Sequence, residues 1–156
     1  MTPRPQSGFT LIELTMVLVI AGLLFAISVP NFEKLSETRD YRKAVRQVVS
    51  AANSARITSI HRNQSVDLVV DAEQRLLSVR SLGASAEKSD AIVLPDTLEV
   101  SVTAAAELSP DSGVSVIRFY PSGGSSGGDI ELLTGQGSGT LIQIGWLLAD
   151  VRQSTI

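Results

Sequence analysis

Residues 9–29 read FTLIELTMVLVIAGLLFAISV, a predominantly apolar run in which Glu13 is the only charged side chain. An α-helix needs about 20 apolar residues to cross the hydrocarbon core of a bilayer, so the run predicts a transmembrane helix. A charge at membrane depth costs roughly 2.5–3.5 kcal/mol on insertion scales. The run contains no basic side chain that could offset this cost. The sequence therefore predicts a function for Glu13.

A cleaved secretory signal is the alternative interpretation of this segment. Arg4 would supply its positive charge, and Ala26-Ile27-Ser28 resembles a small-x-small cleavage site. The single charge and the length of the apolar run are atypical of such signals. A carboxylate would also be a needless penalty in a segment that is discarded, so a retained membrane helix is favoured.

Residues 7–14, Ser-Gly-Phe-Thr-Leu-Ile-Glu-Leu, resemble the cleavage box of type IV pilin-like proteins, which are cut by a prepilin peptidase. The resemblance implies that residues 1–8 form a leader removed after Gly8, and that Phe9 becomes an N-methylated N-terminus. It also implies that Glu13 meets the Phe amine of a neighbouring subunit during filament assembly. Phe9 and Glu13 lie four residues apart in sequence, a spacing that places them on one face of a helix.

The helical pattern continues after the membrane run. Pro30 would remove one backbone hydrogen bond from a helix interior, so we expect a kink at this position, with simple helix termination as the alternative. Beyond it, apolar residues recur at three- and four-residue steps, which predicts an amphipathic continuation of the helix over residues 30–62. These apolar positions are Phe32, Leu35, Val45, Val48, Val49, Ala52, Ala55 and Ile60.

A cluster of charged residues lies on this amphipathic stretch. It permits local ion pairs worth a few tenths of a kcal/mol each. A solvated helix face is the favoured interpretation, and a contact with another subunit is the alternative. The acids are Glu33, Glu37 and Asp40, and the bases are Arg39, Arg42, Lys43 and Arg46.

From residue 63 the pattern changes to short alternating runs, which predict β-strands. A turn at residues 71–74 joins the first two into a hairpin, and Gly- and Ser-rich loops separate the others. We therefore predict an α+β fold, in which a long N-terminal α-helix packs on a C-terminal antiparallel β-sheet domain at residues 63–156. The predicted strands cover residues 65–70, 75–82, 98–103, 114–119, 130–133 and 140–146.

Several segments look like the GspH/FimT-type minor pilin domain, namely Ala55-Arg56 through residues 66–68, then residues 117–124 and 127–132. The resemblance implies a minor pseudopilin similar to the H subunit of the type II secretion system, which would drive or initiate export of folded proteins across the outer membrane. The implied location is the bacterial inner membrane, crossed once, with residues 63–156 in the periplasm. The implied partners are other minor and major pseudopilins, the prepilin peptidase and the inner-membrane assembly platform.

A FimT/FimU-like minor pilin of a type IV pilus, with a role in adhesion, motility or DNA uptake, is the alternative. DNA uptake would favour a basic C-terminal patch, whereas the last residues offer only Arg152. The chain also lacks the cysteines needed for the disulfide found in many pilins. With a formal net charge of −3, nucleic-acid binding is not expected, and secretion is favoured.

The sequence shows no pattern typical of an enzyme, a cofactor site or a metal site. His61 is the only histidine and has no neighbouring acid. Residues 121–128 are rich in Gly and Ser but lack the Lys-Ser/Thr pair of a phosphate-binding loop, so we expect a flexible hairpin tip. A periplasmic hydrolase tethered by its N-terminus would need a convergent polar site that the sequence does not show.

Two further groups of side chains have expected environments. Asp67, Asp71 and Glu73 lie around the first predicted hairpin, and we expect solvated turn carboxylates rather than calcium ligands. Trp146, together with residues 147–148, is expected in the core of the sheet, with an exposed docking patch as the alternative.

Overall fold

The structure, a computed structural model, describes residues 9–82, 91–108, 113–135 and 137–156, and within them it leaves undescribed the side chains of residues 26–36. The predicted leader, with Gly8, lies outside these residues. Helix α1 runs from Leu11 to Arg62. The predicted helix starts two residues earlier, at Phe9, and ends at the same residue. The chain divides after Thr38 into two units, of which the second is Arg39–Ile156.

Helix α1 ends in a Schellman motif. Asn63 adopts a left-handed conformation with φ of 49°, which Asn tolerates better than most residues. Its N–H donates to the carbonyl of Ile60 at 3.3 Å, and the N–H of Gln64 donates to the carbonyl of Ser59 at 3.2 Å. These bonds satisfy carbonyls that the helix end would otherwise leave without donors.

The first unit contains the N-terminal part of α1. Among the described residues, no helix combines the length and the apolar character needed for a membrane span. The predicted transmembrane segment at residues 9–29 continues into side chains that are not described, and it stays a prediction. The kink at Pro30 falls on the same stretch and also stays a prediction.

The second unit packs the C-terminal part of α1 with two four-stranded antiparallel sheets. The first sheet has the order β3-β2-β1-β5, and the second has the order β4-β6-β7-β8. This arrangement confirms the predicted α+β class. The described strands are β1 (Val66–Asp71), β2 (Leu76–Ser81), β3 (Ile92–Val93), β4 (Leu98–Ala104), β5 (Val114–Phe119), β6 (Gly128–Thr134), β7 (Gly139–Ile144) and β8 (Val151–Thr155).

Small side chains on α1 form the helix side of the core. Ala44, Val48, Ala52 and Ala55 are fully buried, so the sheets can approach the helix closely. The prediction that Ile60 continues this stripe is wrong, because Ile60 is 44% exposed. Ser59 occupies the next buried position instead, and its hydroxyl donates to the carbonyls of Arg56 and Tyr120.

All six predicted strands are present, and two more were missed. Strand β3 has only two residues, too few for a pattern. Strand β8 reads VRQST, with four exposed residues after Val151, so it carries no apolar alternation. The hairpin expected between β5 and β6 is also wrong, because these strands lie in different sheets.

Asp67 is buried, contrary to the expectation of a solvated turn carboxylate. It lies on β1 directly opposite Arg80 on β2 and Arg118 on β5. Arg118 donates to both carboxylate oxygens at 2.7 and 3.0 Å, and Arg80 lies 3.4 Å away. The hydrogen bond to Asp67 raises the pKa of Arg118. Asp67 and its two arginine partners tie three strands of the first sheet together.

We expect Arg118→Ala to lower the free energy of unfolding by about 3–5 kcal/mol, because it leaves a buried carboxylate without its bidentate partner. Urea unfolding of the detergent-solubilised full chain, followed by circular dichroism, measures this change. Arg152→Ala is the matched control, since the Arg152–Asp150 pair is exposed on both sides and should cost at most about 1 kcal/mol. Equal losses in the two variants would contradict the structural role given to Arg118.

Candidate functional site

The described part of α1 before residue 26 exposes nearly all of its apolar side chains. Its large apolar residues are 55–81% exposed, and Phe9, two residues before the helix, is 85% exposed. An apolar surface of this extent requires a membrane or a protein partner. These residues are Phe9, Leu11, Ile12, Leu14, Met16, Val17, Leu18, Val19, Ile20, Leu23, Leu24 and Phe25.

Thr10 caps the start of the helix and places Glu13 in the first turn. The Thr10 hydroxyl accepts a hydrogen bond from the Glu13 N–H at 3.3 Å, as an N-cap residue does. The carboxylate of Glu13 is exposed, and it makes no ion pair with any described residue. A negative charge in the first turn is favourable near the positive end of the helix dipole, and an exposed one is available to a cationic partner.

The Gly- and Ser-rich segment at residues 121–128 is a hydrogen-bonded crossing between the two sheets. Ser125 forms an isolated bridge with Phe119, and the N–H of Ser126 donates to the carbonyl of Arg118 at 2.8 Å. Gly128 then enters the second sheet with φ of 154°, where a Cβ would lie 2.8 Å from the carbonyl oxygen of Thr103. Glycine is required at this point by both the backbone angle and the close approach.

Trp146 lies outside the core, which overturns the sequence prediction. Strand β7 ends at Ile144, and the following turn exposes Trp146 by 70% and Leu147 and Leu148 by 63% each. Three consecutive apolar residues cannot all face inward from a strand, because successive side chains alternate between its faces. That rule was the signal in the sequence that could have placed these residues correctly.

The turn that carries Trp146 is held in place by hydrogen bonds. The N–H of Gly145 donates to the carbonyl of Asp150 at 2.9 Å and closes the turn. Ser125 donates its N–H to the carbonyl of Trp146 at 2.9 Å and its hydroxyl to the carbonyl of Gly145 at 3.0 Å. Ala149 is fully buried below. The exposed apolar side chains therefore project from a fixed backbone, a feature that favours binding because little order is lost.

An open groove of about 740 Å³ runs beside this turn. Trp146 and Leu147 form an apolar wall, and Asp129, Asp150 and Arg152 supply charge. Arg152 donates to the Asp150 carboxylate at 2.7 Å. Among the described residues that line the groove there is no histidine, cysteine or lysine. The exposed His61 lies elsewhere, in the last turn of α1.

Two family models match the chain. The model described as type II transport protein GspH matches residues 44–147, and the model described as the prokaryotic N-terminal methylation motif matches residues 3–29. The first covers most of the second unit, and the second contains the predicted processing box.

Curated relatives and solved structures are also similar. Type II secretion system core protein G of Aeromonas hydrophila is 39% identical over 64 residues, which are 41% of this chain and 45% of that protein. Its counterpart in Vibrio cholerae serotype O1 is 43% identical over 51 residues, 33% of this chain and 35% of that protein. The chain therefore spans less than half the length of these relatives.

The similar structures share the fold at low identity. The minor pseudopilin EpsH from the type 2 secretion system of Vibrio cholerae has a TM-score of 0.59 at 12% identity, covering 74% of this chain and 96% of that chain. The type IV minor pilin FimU of Pseudomonas aeruginosa has a TM-score of 0.57 at 13% identity, covering 77% and 92%.

The exposure of Trp146 gives a direct spectroscopic prediction, because it is the only tryptophan in the chain. We expect the folded protein to show red-shifted emission and acrylamide quenching close to that of free indole. A buried tryptophan would be strongly protected, and such protection would contradict the placement of the turn. Trp146→Ala should change the free energy of unfolding by no more than about 0.5 kcal/mol, whereas Phe119→Ala in the core should cost about 3–5 kcal/mol.

Proposed function

Because the chain belongs to the GspH family of type II transport proteins, we propose that it is a minor pseudopilin of a type II secretion pseudopilus, which drives or initiates export of folded proteins across the outer membrane. The family match over residues 44–147 is the observation that carries the proposal. The fold shared with EpsH supports it. The work of such a subunit is assembly.

The N-terminal segment supplies processing and anchoring in this proposal. Cleavage after Gly8 by a prepilin peptidase would remove residues 1–8 and leave Phe9 as an N-methylated terminus, and the match to the methylation motif supports this step. The apolar run at residues 9–29 would hold the chain in the inner membrane by a single pass, with the β domain in the periplasm. The assembly platform in that membrane and other pseudopilins are the proposed partners.

Glu13 is the proposed assembly residue. Its carboxylate is exposed and unpaired within the described part of the chain, so a neighbouring subunit can neutralise it. The partner would be the N-terminal amine that cleavage exposes on Phe9 of the neighbouring subunit. An unpaired carboxylate in an apolar segment is costly, and that cost is removed only when the subunits come together.

We expect Glu13→Ala to leave the chain inserted in the membrane but to lower its incorporation into the filament about tenfold, equivalent to about 1.4 kcal/mol. Sheared filament fractions and membrane fractions, probed by immunoblotting, measure the two pools. Glu37→Ala is the control, since Glu37 is another exposed acid on α1. Normal incorporation of the Glu13 variant would show that its role is misassigned.

A clean deletion in the native host tests the function itself. We expect secreted hydrolases to disappear from the medium while surface pili and twitching motility remain. The opposite result, with normal secretion and loss of pili or DNA uptake, would transfer the protein to the type IV pilus, the system of the structurally similar FimU. Complementation with the intact gene is the control for polar effects.

A further inference from the structure

The groove beside the Trp146 turn is crossed by a row of polar side chains on the outer face of the second sheet. Ile130 and Ile142, which neighbour members of the row in sequence, are fully buried. The row therefore projects from the opposite, outer face, because successive side chains of a strand alternate. Its members lie directly opposite one another on β4, β6, β7 and β8, and all of them line the groove. They are Thr103, Asp129, Gln143 and Arg152.

Asp129 carries the unpaired charge of this row. Its carboxylate is half-buried and forms no ion pair with any described residue. Arg152 lies two strands away, and its guanidinium already donates to the Asp150 carboxylate at 2.7 Å. A carboxylate that has lost part of its hydration is stabilised by a cation placed against it. The groove therefore lacks one positive charge.

Trp146 stands close to this carboxylate. Its Cβ lies 3.3 Å from the position that a Cβ on Gly127 would take. Gly127 and Asp129 are two residues apart, which is at most about 7 Å along an extended chain. Both Trp146 and Asp129 line the groove. Since Gly127 has no side chain, the space between the indole and the carboxylate stays open.

A planar cation suits these two walls. The guanidinium of arginine pairs with a carboxylate through two parallel hydrogen bonds and also stacks on aromatic rings. Gln143 lies directly opposite Asp129, and its amide oxygen can accept a further guanidinium N–H. A lysine ammonium would pair with Asp129 only as a point charge, and it is more strongly hydrated.

The electrostatic surroundings favour a basic ligand as well. Glu99 on β4 and Glu131 on β6 project from the same outer face as Asp129, since Leu98 and Leu132 beside them are buried. Neither glutamate forms an ion pair with a described residue. A face with an excess of one charge attracts partners of the opposite charge during encounter.

We propose that the groove binds an arginine side chain of a different protein, with the guanidinium paired to Asp129 and stacked on Trp146. Leu147 and Leu148, both 63% exposed, would contact apolar parts of the same segment. Stacked and paired arginines are common energetic centres of protein interfaces. The ligand class is therefore a basic, arginine-bearing segment of a partner protein.

This position of the partner is compatible with helix contacts between subunits. The inner face of the second sheet packs on α1, where the hydroxyl of Tyr41 bonds to that of Thr140 on β7. A partner on the outer face leaves the outward side of α1 free. A second copy does not suit the groove, because it would keep two helices a sheet layer apart, whereas the proposed Glu13 contact brings helices together. The choice of a different protein rests on the proposed function, whereas the arginine site itself does not.

Titration of the detergent-solubilised full chain with the peptide acetyl-Ala-Arg-Ala-amide tests the site. Trp146 is the only tryptophan, so its emission reports on the groove directly. We expect a shift to shorter wavelength and weaker acrylamide quenching, half-saturated at about 1 mM, as suits a single anchoring side chain. The same peptide with lysine should bind about threefold more weakly, and the peptide with uncharged citrulline about tenfold more weakly.

Variants of the groove provide the second measurement. Asp129→Asn should weaken binding of the arginine peptide about tenfold, because the guanidinium loses its charged acceptor. Trp146→Ala, measured by calorimetry, should weaken it severalfold. Glu73→Gln is the matched control, since Glu73 is an exposed acid on the turn of the first sheet, and it should leave binding unchanged. Unaltered emission of the Asp129 variant without peptide shows that its fold is retained.

Equal binding of the arginine and citrulline peptides would overturn the proposal, and so would equal effects of the Asp129 and Glu73 variants. A saturable response to the neutral disaccharide cellobiose, with none to the arginine peptide, would give the groove another occupant. A shift of emission that depends on protein concentration alone would show that a second copy covers Trp146, and it too would overturn the proposal.

The peptide titration and the deletion test fail independently. Loss of secretion in the deletion strain together with a failed titration would refute the arginine site alone. Arginine binding together with normal secretion would refute the secretion role alone, because the titration uses only the purified chain.

Discussion

The central constraint on this molecule is that one α-helix is much longer than the part of it that the β domain buries. Ala44, Val48, Ala52 and Ala55 bury their side chains among the strands, whereas the described apolar side chains of residues 9–25 remain exposed. A helix gains most of its stability in proteins from packing an apolar face. The N-terminal part must therefore find that packing outside its own chain, and Glu13, the proposed assembly residue, lies in this part.

The sequence predicted the helix and six strands because each has a regular pattern. Apolar residues every three or four positions marked the helix, and alternation marked β4, where Leu98, Val100 and Val102 face inward. The failures have a physical reason as well. Strand β8 is an edge strand whose residues after Val151 are exposed. It forms by backbone pairing with β7, and its sequence has no apolar alternation that would predict it.

The environment of individual polar and aromatic residues was harder to predict, because it depends on neighbours distant in sequence. Asp67 was expected in water, yet Arg80 and Arg118 arrive from two other strands and pair with it. Trp146 was expected in the core, yet β7 ends at Ile144 and Ser125 holds the next turn in an outward position. Glu13 could be singled out from sequence, since a carboxylate within an apolar run is conspicuous without any knowledge of the fold.

The order in which the strands alternate between the sheets has a kinetic consequence. Strands β1, β2 and β3 belong to the first sheet, β4 to the second, β5 to the first again and β6 to the second. The pairing of Val66 with Phe119 closes a long loop, and such non-local contacts slow folding because loop closure must precede the contact. Neither sheet is built from one continuous stretch of chain, because β4 of the second sheet precedes β5 of the first. While the C-terminal half is missing, β1 has one unpaired edge, and Asp67 lacks its partner Arg118 on β5. A chain emerging from synthesis or translocation is therefore most vulnerable to aggregation until residues 114–119 have arrived.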